Sequence, residues 1–200
     1  MNSLVVYCAD IGSIKHNNFG WAREKEGDTD ISHLVTSVAT DLNERKKVAL
    51  GFECPLYVPI SADPNHLTSQ RAVEKGRPWS AGAGAAVLAT GLTETVWILL
   101  ELRKRIESPL PAFLTWQDFS NAEQGLFLWE AMVTGQAKGT SHRQDATIAV
   151  RAFRAQISQA AAENRDKGGS VHSLIGAALL RTGWSEDLSL LGKPCLVIRA

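Results

Sequence analysis

Short, almost uninterrupted apolar runs alternate along this chain with longer segments whose apolar residues recur every three or four positions. Runs of the first kind are typical of strands buried on both faces, and segments of the second kind are typical of helices that cover a sheet. The alternation therefore predicts an α/β domain with a mixed central sheet flanked by helices, beginning with an antiparallel hairpin. The predicted strands span residues 4–9, 19–23, 48–53, 111–116, 125–133 and 194–199, and the predicted helices span residues 30–47, 82–105, 141–162 and 170–181.

The size and charge of the chain limit the classes of function. Its 200 residues predict one domain, spanning 1–200, large enough to enclose a hydrophobic core. Lysine and arginine number 21, as do aspartate and glutamate, so no overall positive field draws the protein toward nucleic acid. Any contact with phosphate must then come from local groups of basic residues, such as those at positions 71–77 and 138–143.

The cysteines and the apolar runs indicate where the protein resides. Cys8, Cys54 and Cys195 are odd in number, lack CxxC spacing and lie in or beside apolar runs, as buried free thiols do. No signal peptide is expected at the N-terminal end, and no apolar stretch is expected to reach the length of a membrane helix. We therefore expect a cytoplasmic protein with no membrane partner.

Acidic residues recur where apolar elements begin or end. Asp10 follows the first predicted strand, Glu53 ends the third, Glu130 lies toward the end of the strand at 125–133, and Asp145 lies in the first turn of a late helix. His142 precedes Asp145 by three residues and shares its helix face. Carboxylates gathered at one sheet edge could bind Mg²⁺ or Mn²⁺, which prefer oxygen ligands and activate water for phosphodiester cleavage.

Each of these residues also has a purely structural interpretation. Asp10 could cap the turn after its strand, Glu53 could be a solvated strand end, and Asp145 could interact with the helix dipole. Glu130 could face solvent on an alternating strand, and His142 could be a surface or capping residue. The chain has neither the GxSxG motif of serine hydrolases nor the GxxxxGK[ST] motif of phosphate-binding loops, so both of those classes are unsupported.

Four short motifs resemble the ribonuclease H-like superfamily. They are Asp10-Ile11-Gly12 after a strand, FGWA at 19–22, Glu53 at the end of VALGFE, and HRQDA at 142–146. The chain is most similar to predicted nucleases of that superfamily and, more distantly, to Holliday-junction resolvases. The segments ECPLYVPI and PWSAGAG have no counterpart in the resolvases, and His142 stands where many members carry a second aspartate.

The resemblance implies a ribonuclease H-like three-layer fold and a metal-dependent nuclease acting on DNA or RNA. It implies Asp10, Glu53 and Asp145 as catalytic ligands of Mg²⁺ or Mn²⁺, with His142 as a further ligand or proton carrier. To these we add Glu130 as a reserve metal ligand. The long irregular segment at 55–80 adds Arg71 and Arg77, which are predicted to contact the substrate.

Two other functions remain open from the sequence. A ribonuclease H-like module could bind nucleic acid or protein without catalysis, and it would then carry carboxylates without affinity for metal. The Asp-Ile-Gly-Ser turn at 10–13 also resembles that of the actin and sugar-kinase fold, although 200 residues are few for its two lobes. The sequence leaves the oligomeric state open, a dimer included.

Overall fold

The computed structural model describes residues 3–163 and 170–200, with the side chains of residues 160–163 excepted. Strands and helices alternate along most of the chain. The strands are β1 (Leu4–Asp10), β2 (Gly20–Arg23), β3 (Lys47–Glu53), β4 (Tyr57–Pro59), β5 (Ala112–Phe113), β6 (Gly125–Met132), β7 (Val171–Ser173) and β8 (Leu196–Arg199). The helices are α1 (Ile31–Asn43), α2 (Gly82–Arg105), α3 (Trp116–Asn121), α4 (His142–Glu163) and α5 (Leu174–Arg181).

The main sheet is mixed, in the order β2-β1-β3-β6, with β5 and β8 both pairing with β6 along its outer edge. Strand β2 runs antiparallel to β1 and forms the predicted hairpin with it, whereas the other pairs are parallel. Strands β4 and β7 form a separate antiparallel pair. The prediction of an α/β domain with a mixed sheet flanked by helices is confirmed.

The sheet separates two hydrophobic cores. Helices α1, α2 and α5 pack against one face, and that core includes Leu50 and Phe52 of β3. Helices α3 and α4 pack against the other face, around an aromatic group that includes Phe127 and Trp129. The three cysteines are buried and form no disulfide, as predicted.

Two predicted elements differ in the structure. The strand expected at 111–116 is only Ala112–Phe113, because Thr115 precedes a short helix and its hydroxyl donates to the Asp118 carboxylate in the first turn of that helix. The helix expected from residue 170 begins only at Leu174, because the preceding residues form β7. The Ser173 side chain caps α5 by accepting a hydrogen bond from the Gly176 N–H.

Only the second part of helix α2 contributes to the core. No residue of this helix before Gly91 is buried, so its small residues at 82–86 lie outside the core. The expectation that no stretch reaches the length of a membrane helix is wrong, because by length and composition alone α2 is long and apolar enough to cross a bilayer. Its second half packs Ile98, Leu99 and Leu102 into the core, as helices of water-soluble proteins also do.

Candidate metal centre

Parallel pairing of β1 with β3 brings two carboxylates side by side. Asp10 is the last residue of β1 and Glu53 is the last residue of β3, and the register pairs the two directly. Neighbouring residues at paired positions of a sheet project from the same face. Both side chains therefore lie at the carboxyl edge of the sheet, on the face that α4 covers.

Helix α4 supplies the third carboxylate from its first turn. The helix begins close to β2, where a Cβ added to Gly20 would lie 2.3 Å from the backbone nitrogen of Arg143. Ala146, next to Asp145, is fully buried in the core between α4 and the sheet, where its small side chain allows a close approach. The Gly139 N–H donates to Asp145 Oδ1 over 2.5 Å and fixes that carboxylate from the preceding loop.

The three carboxylates converge on one point. One ligand oxygen from each of Asp10, Glu53 and Asp145 can be chosen such that all three lie within 4.8 Å of one another. Asp10 and Asp145 are buried, and Glu53 is largely buried. The structure thus brings together the three carboxylates that the sequence predicts as metal ligands.

Burial changes the protonation of this cluster. It raises the pKa of Asp10 to about 6, although the neighbouring His142 and Lys138 act to lower that pKa. Burial also raises the pKa of Glu53 to about 9, and the charges of Asp10 and Asp145 add to the effect. The Glu53 Oε2 atom is buried and has no hydrogen-bond partner among the described residues. The cluster therefore lacks positive charge relative to its carboxylates.

A histidine and a lysine approach the cluster. His142 Nδ1 lies 2.6 Å from Asp10 Oδ2. His142 and Asp145 lie three residues apart on α4, so both side chains face the same site. Lys138 Nζ lies 3.4 Å from Asp145 Oδ2 and 4.0 Å from Glu53 Oε1. Both side chains are partly exposed, and both line an open cleft of about 640 Å³ next to Asp145.

Glu94 is a fourth carboxylate that the sequence interpretation missed. It projects from α2, is buried, and accepts a hydrogen bond from the backbone of Gly12, two residues after Asp10. Burial raises its pKa to about 7, with a further contribution from the charge of Asp10. Its position was detectable, because an acidic residue at 94 shares the buried helix face of Gly91 and Ile98.

Glu130 does not join the cluster. It alternates along β6 with Trp129 and Ala131, which belong to the core beneath α4, so its side chain projects from the opposite face of the sheet. There it accepts hydrogen bonds from Arg71 Nη1 at 2.8 Å and Nη2 at 2.6 Å, and from the Leu56 N–H at 2.9 Å. The structure therefore gives Glu130 a structural partner in place of the predicted role as reserve ligand.

Arg71 is correspondingly unavailable to a substrate. Its guanidinium is buried, binds Glu130 and Glu74, and lies 4.7 Å from the centre of the Tyr57 ring. This ion pair anchors the irregular segment after β4 to the central strand β6. Arg77, the other predicted substrate residue, is exposed on the same segment and is not among the residues that line the cleft beside Asp145.

Another cavity, of about 290 Å³, lies between α2 and α5 and contains none of the three clustered carboxylates. Its lining is mainly apolar, with Leu92, Val96 and Ile175 among the contributors. The cluster and its cleft thus combine concavity with titratable groups, which makes them the candidate functional site.

A scan against models of known protein families, a search of curated proteins and a search of solved structures find no match to the chain.

The raised pKa of Glu53 predicts a stability gain on neutralising this residue. The folded protein retains a proton on Glu53 that the unfolded chain, with a pKa near 4.5, releases. The contribution of Glu53 to stability therefore falls as pH rises from about 4.5 to about 9. Chemical denaturation should show Glu53→Gln to be more stable than the wild type at pH 8, by about 1–3 kcal/mol, with little difference at pH 4.

Glu101→Gln is the matched control for this measurement. The pKa of Glu101 is lowered by hydrogen bonds from Lys104 and Arg105, so neutralising it should reduce stability at pH 8. Equal or lower stability of Glu53→Gln at pH 8 would contradict the account of a repulsive cluster.

The buried pair of Arg71 and Glu130 predicts a large loss of stability when its cation is removed. Arg71→Met leaves the Glu130 carboxylate buried without its bidentate partner, which should reduce the free energy of unfolding by about 3–5 kcal/mol. Arg77→Met, on the same segment, should change it by less than about 0.5 kcal/mol. Arg71→Lys keeps the charge but not the planar guanidinium, so its free energy of unfolding should lie between those of the two Met variants. Similar stabilities for all three variants would refute the assignment of Arg71 and Glu130 as a stabilising buried pair.

Proposed function

We propose that this protein is a metal-dependent nuclease of the ribonuclease H-like class that hydrolyses phosphodiester bonds in DNA or RNA. The observation that carries the proposal is the convergence of Asp10, Glu53 and Asp145, whose ligand oxygens lie within 4.8 Å of one another. A nuclease of this kind requires a compact group of oxygen ligands for divalent ions.

The order of the elements supports the choice of class. The sheet begins with a hairpin, the first aspartate ends the first strand, and a glutamate ends the neighbouring parallel strand. A late helix then brings His142 and Asp145 to the same edge. This order is the one that the superfamily resemblance implies, with the long segment after β4 as an addition.

The residues fit Mg²⁺ or Mn²⁺ as the resident cation. All three donors are carboxylate oxygens, which are the ligands that these ions prefer over softer atoms. The buried Glu53 Oε2 atom lacks a hydrogen-bond partner among the described residues and so offers an unsatisfied acceptor to a cation. Asp10, Glu53 and Asp145 would hold the ion, which when bound activates water and stabilises the leaving oxygen.

His142 is suited to transferring a proton beside these ligands. Its Nδ1 atom is bonded to Asp10, which orients the ring and leaves proton exchange to Nε2. The side chain is partly exposed and lines the cleft, so a reacting group could approach it. Asp10 therefore has two roles in the proposal, one as a ligand and one in positioning the histidine.

The cleft offers groups that recognise phosphate. Its lining includes the amides of Asn17 and Asn18 and the basic side chains of Lys138 and Arg143. Arg143 is exposed there, at the start of α4. Because the net charge of the chain is zero, this local set would provide the attraction to a polynucleotide that the whole protein lacks.

Mn²⁺ binding measured by isothermal titration calorimetry tests the proposal. The wild type should show saturable binding, and the Asp10→Asn, Asp145→Asn double variant should lose it because two of three ligand charges are removed. The control is Asp63→Asn, Asp187→Asn, which removes two charges at exposed helix starts that asparagine caps equally well. This control should bind Mn²⁺ like the wild type.

Hydrolysis of labelled DNA and RNA oligonucleotides then completes the test. The wild type should cleave one of them only when Mg²⁺ or Mn²⁺ is present, and the double variant should be inactive. Absence of Mn²⁺ binding at millimolar concentration, with an oligonucleotide present, would contradict the proposal and favour a non-catalytic binding module.

A further inference from the structure

Lys138 occupies an unusual position for a basic residue beside a candidate metal centre. It follows the short 3-10 helix Gly135–Ala137 and precedes α4, and its ammonium lies 3.4 Å from Asp145 and 4.0 Å from Glu53. The next residue, Gly139, donates its N–H to the other oxygen of Asp145. The backbone beside Lys138 is thus fixed to the same carboxylate that its side chain approaches.

The surroundings of Lys138 favour its charged form. Partial burial acts to lower the pKa of Lys138, but the charges of Glu53, Asp145 and Asp10 outweigh that effect and raise it above the ordinary value. The charged and titratable groups around it come from β1, β3 and the first turn of α4, and His142 and Arg143 of the same helix line the same cleft. A lysine ammonium is charged at neutral pH, so Lys138, at 3.4 Å from Asp145 and 4.0 Å from Glu53, supplies a positive charge at the cluster.

A divalent cation and the Lys138 ammonium require the same oxygens. A cation bound by oxygens that lie within 4.8 Å of one another would be only a few ångströms from Nζ, at a distance where like charges repel strongly. The side chain can move away, because 47% of it is exposed and four rotatable bonds separate the backbone from the ammonium. The cleft that Lys138 lines is the space into which it would move.

We propose that Lys138 exchanges partners, binding the carboxylate cluster until a divalent cation displaces it and then contacting a phosphate of the polynucleotide in the cleft. This inference rests on the proposed function and assigns Lys138 as the residue that couples cation binding to substrate binding. It follows that Lys138 weakens metal affinity by competition and strengthens affinity for nucleic acid once metal is bound.

Calorimetry with Mn²⁺ tests the competition between Lys138 and the cation, using Lys138→Met and a matched control. Lys193→Met removes a charge from a lysine that is likewise 47% exposed and lies 3.7 Å from one aspartate, Asp187, away from the cluster. Lys138→Met should bind Mn²⁺ about tenfold more tightly than the wild type, the size expected for removing a unit charge about 5 Å from a divalent ion in a high dielectric. Lys193→Met should bind Mn²⁺ with wild-type affinity.

Fluorescence anisotropy tests the contact between Lys138 and the polynucleotide. It uses labelled single-stranded DNA and RNA oligonucleotides, with Ca²⁺ in place of Mn²⁺. Lys138→Met should bind the oligonucleotide several-fold more weakly, with a salt dependence reduced by about one phosphate contact. Lys138→Arg should retain most of the oligonucleotide affinity, since it keeps the charge.

The outcomes separate this inference from the function on which it rests. Saturable Mn²⁺ binding that is equal or weaker in Lys138→Met, or an unchanged oligonucleotide affinity, would overturn the role of Lys138 and leave the metal site intact. No Mn²⁺ binding by the wild type or by Lys138→Met would overturn the proposed function and this inference together.

Discussion

The burial of three adjacent carboxylates, together with the repulsion between their charged forms, is the constraint around which the site is organised. Asp10, Glu53 and Asp145 are held within 4.8 Å of one another in a largely dehydrated position, where isolated negative charges are unfavourable. The contacts around them offset this burial and repulsion only in part: a histidine bonded to Asp10, a half-exposed lysine near the other two carboxylates, and two backbone N–H groups, of Gly139 and Val133. An arrangement that sacrifices stability in this way is typical of a site selected for binding or catalysis.

The fold maintains the arrangement through backbone geometry. Parallel in-register pairing makes Asp10 and Glu53 neighbours, and Gly20 lets the start of α4 approach β2 closely enough to add Asp145. On the opposite face of the same sheet edge, the buried carboxylates have a cationic partner. There Arg71 binds both Glu130 and Glu74 in a buried group that fixes a long irregular segment, so a guanidinium bonds directly to the carboxylates of that face.

Much of this site was predictable from the sequence, because strand ends are local features that parallel pairing brings together. Asp10, Glu53 and the His142–Asp145 pair were identified from their positions at the ends of apolar elements, and the structure places them together. Glu130 was misplaced because its face depends on the register of β6, which no local pattern reveals. The role of Arg71 was missed because its partner, Glu130, is 59 residues away in the sequence. Glu94 was missed because its partner, the Gly12 backbone, follows a different element. The short helix α3 replaces part of a predicted strand, and the hydroxyl of Thr115, just before this helix, bonds to Asp118 in its first turn.

The central claim is that Asp10, Glu53 and Asp145 together hold a divalent cation. A crystal grown with Mn²⁺ and measured at the manganese absorption edge tests it most directly, because the anomalous signal locates the ion itself. The account predicts an anomalous peak at coordination distance from oxygens of all three carboxylates, with the Lys138 ammonium displaced toward the cleft. No peak at the cluster, with Lys138 still bound to Asp145 at saturating Mn²⁺, would contradict it.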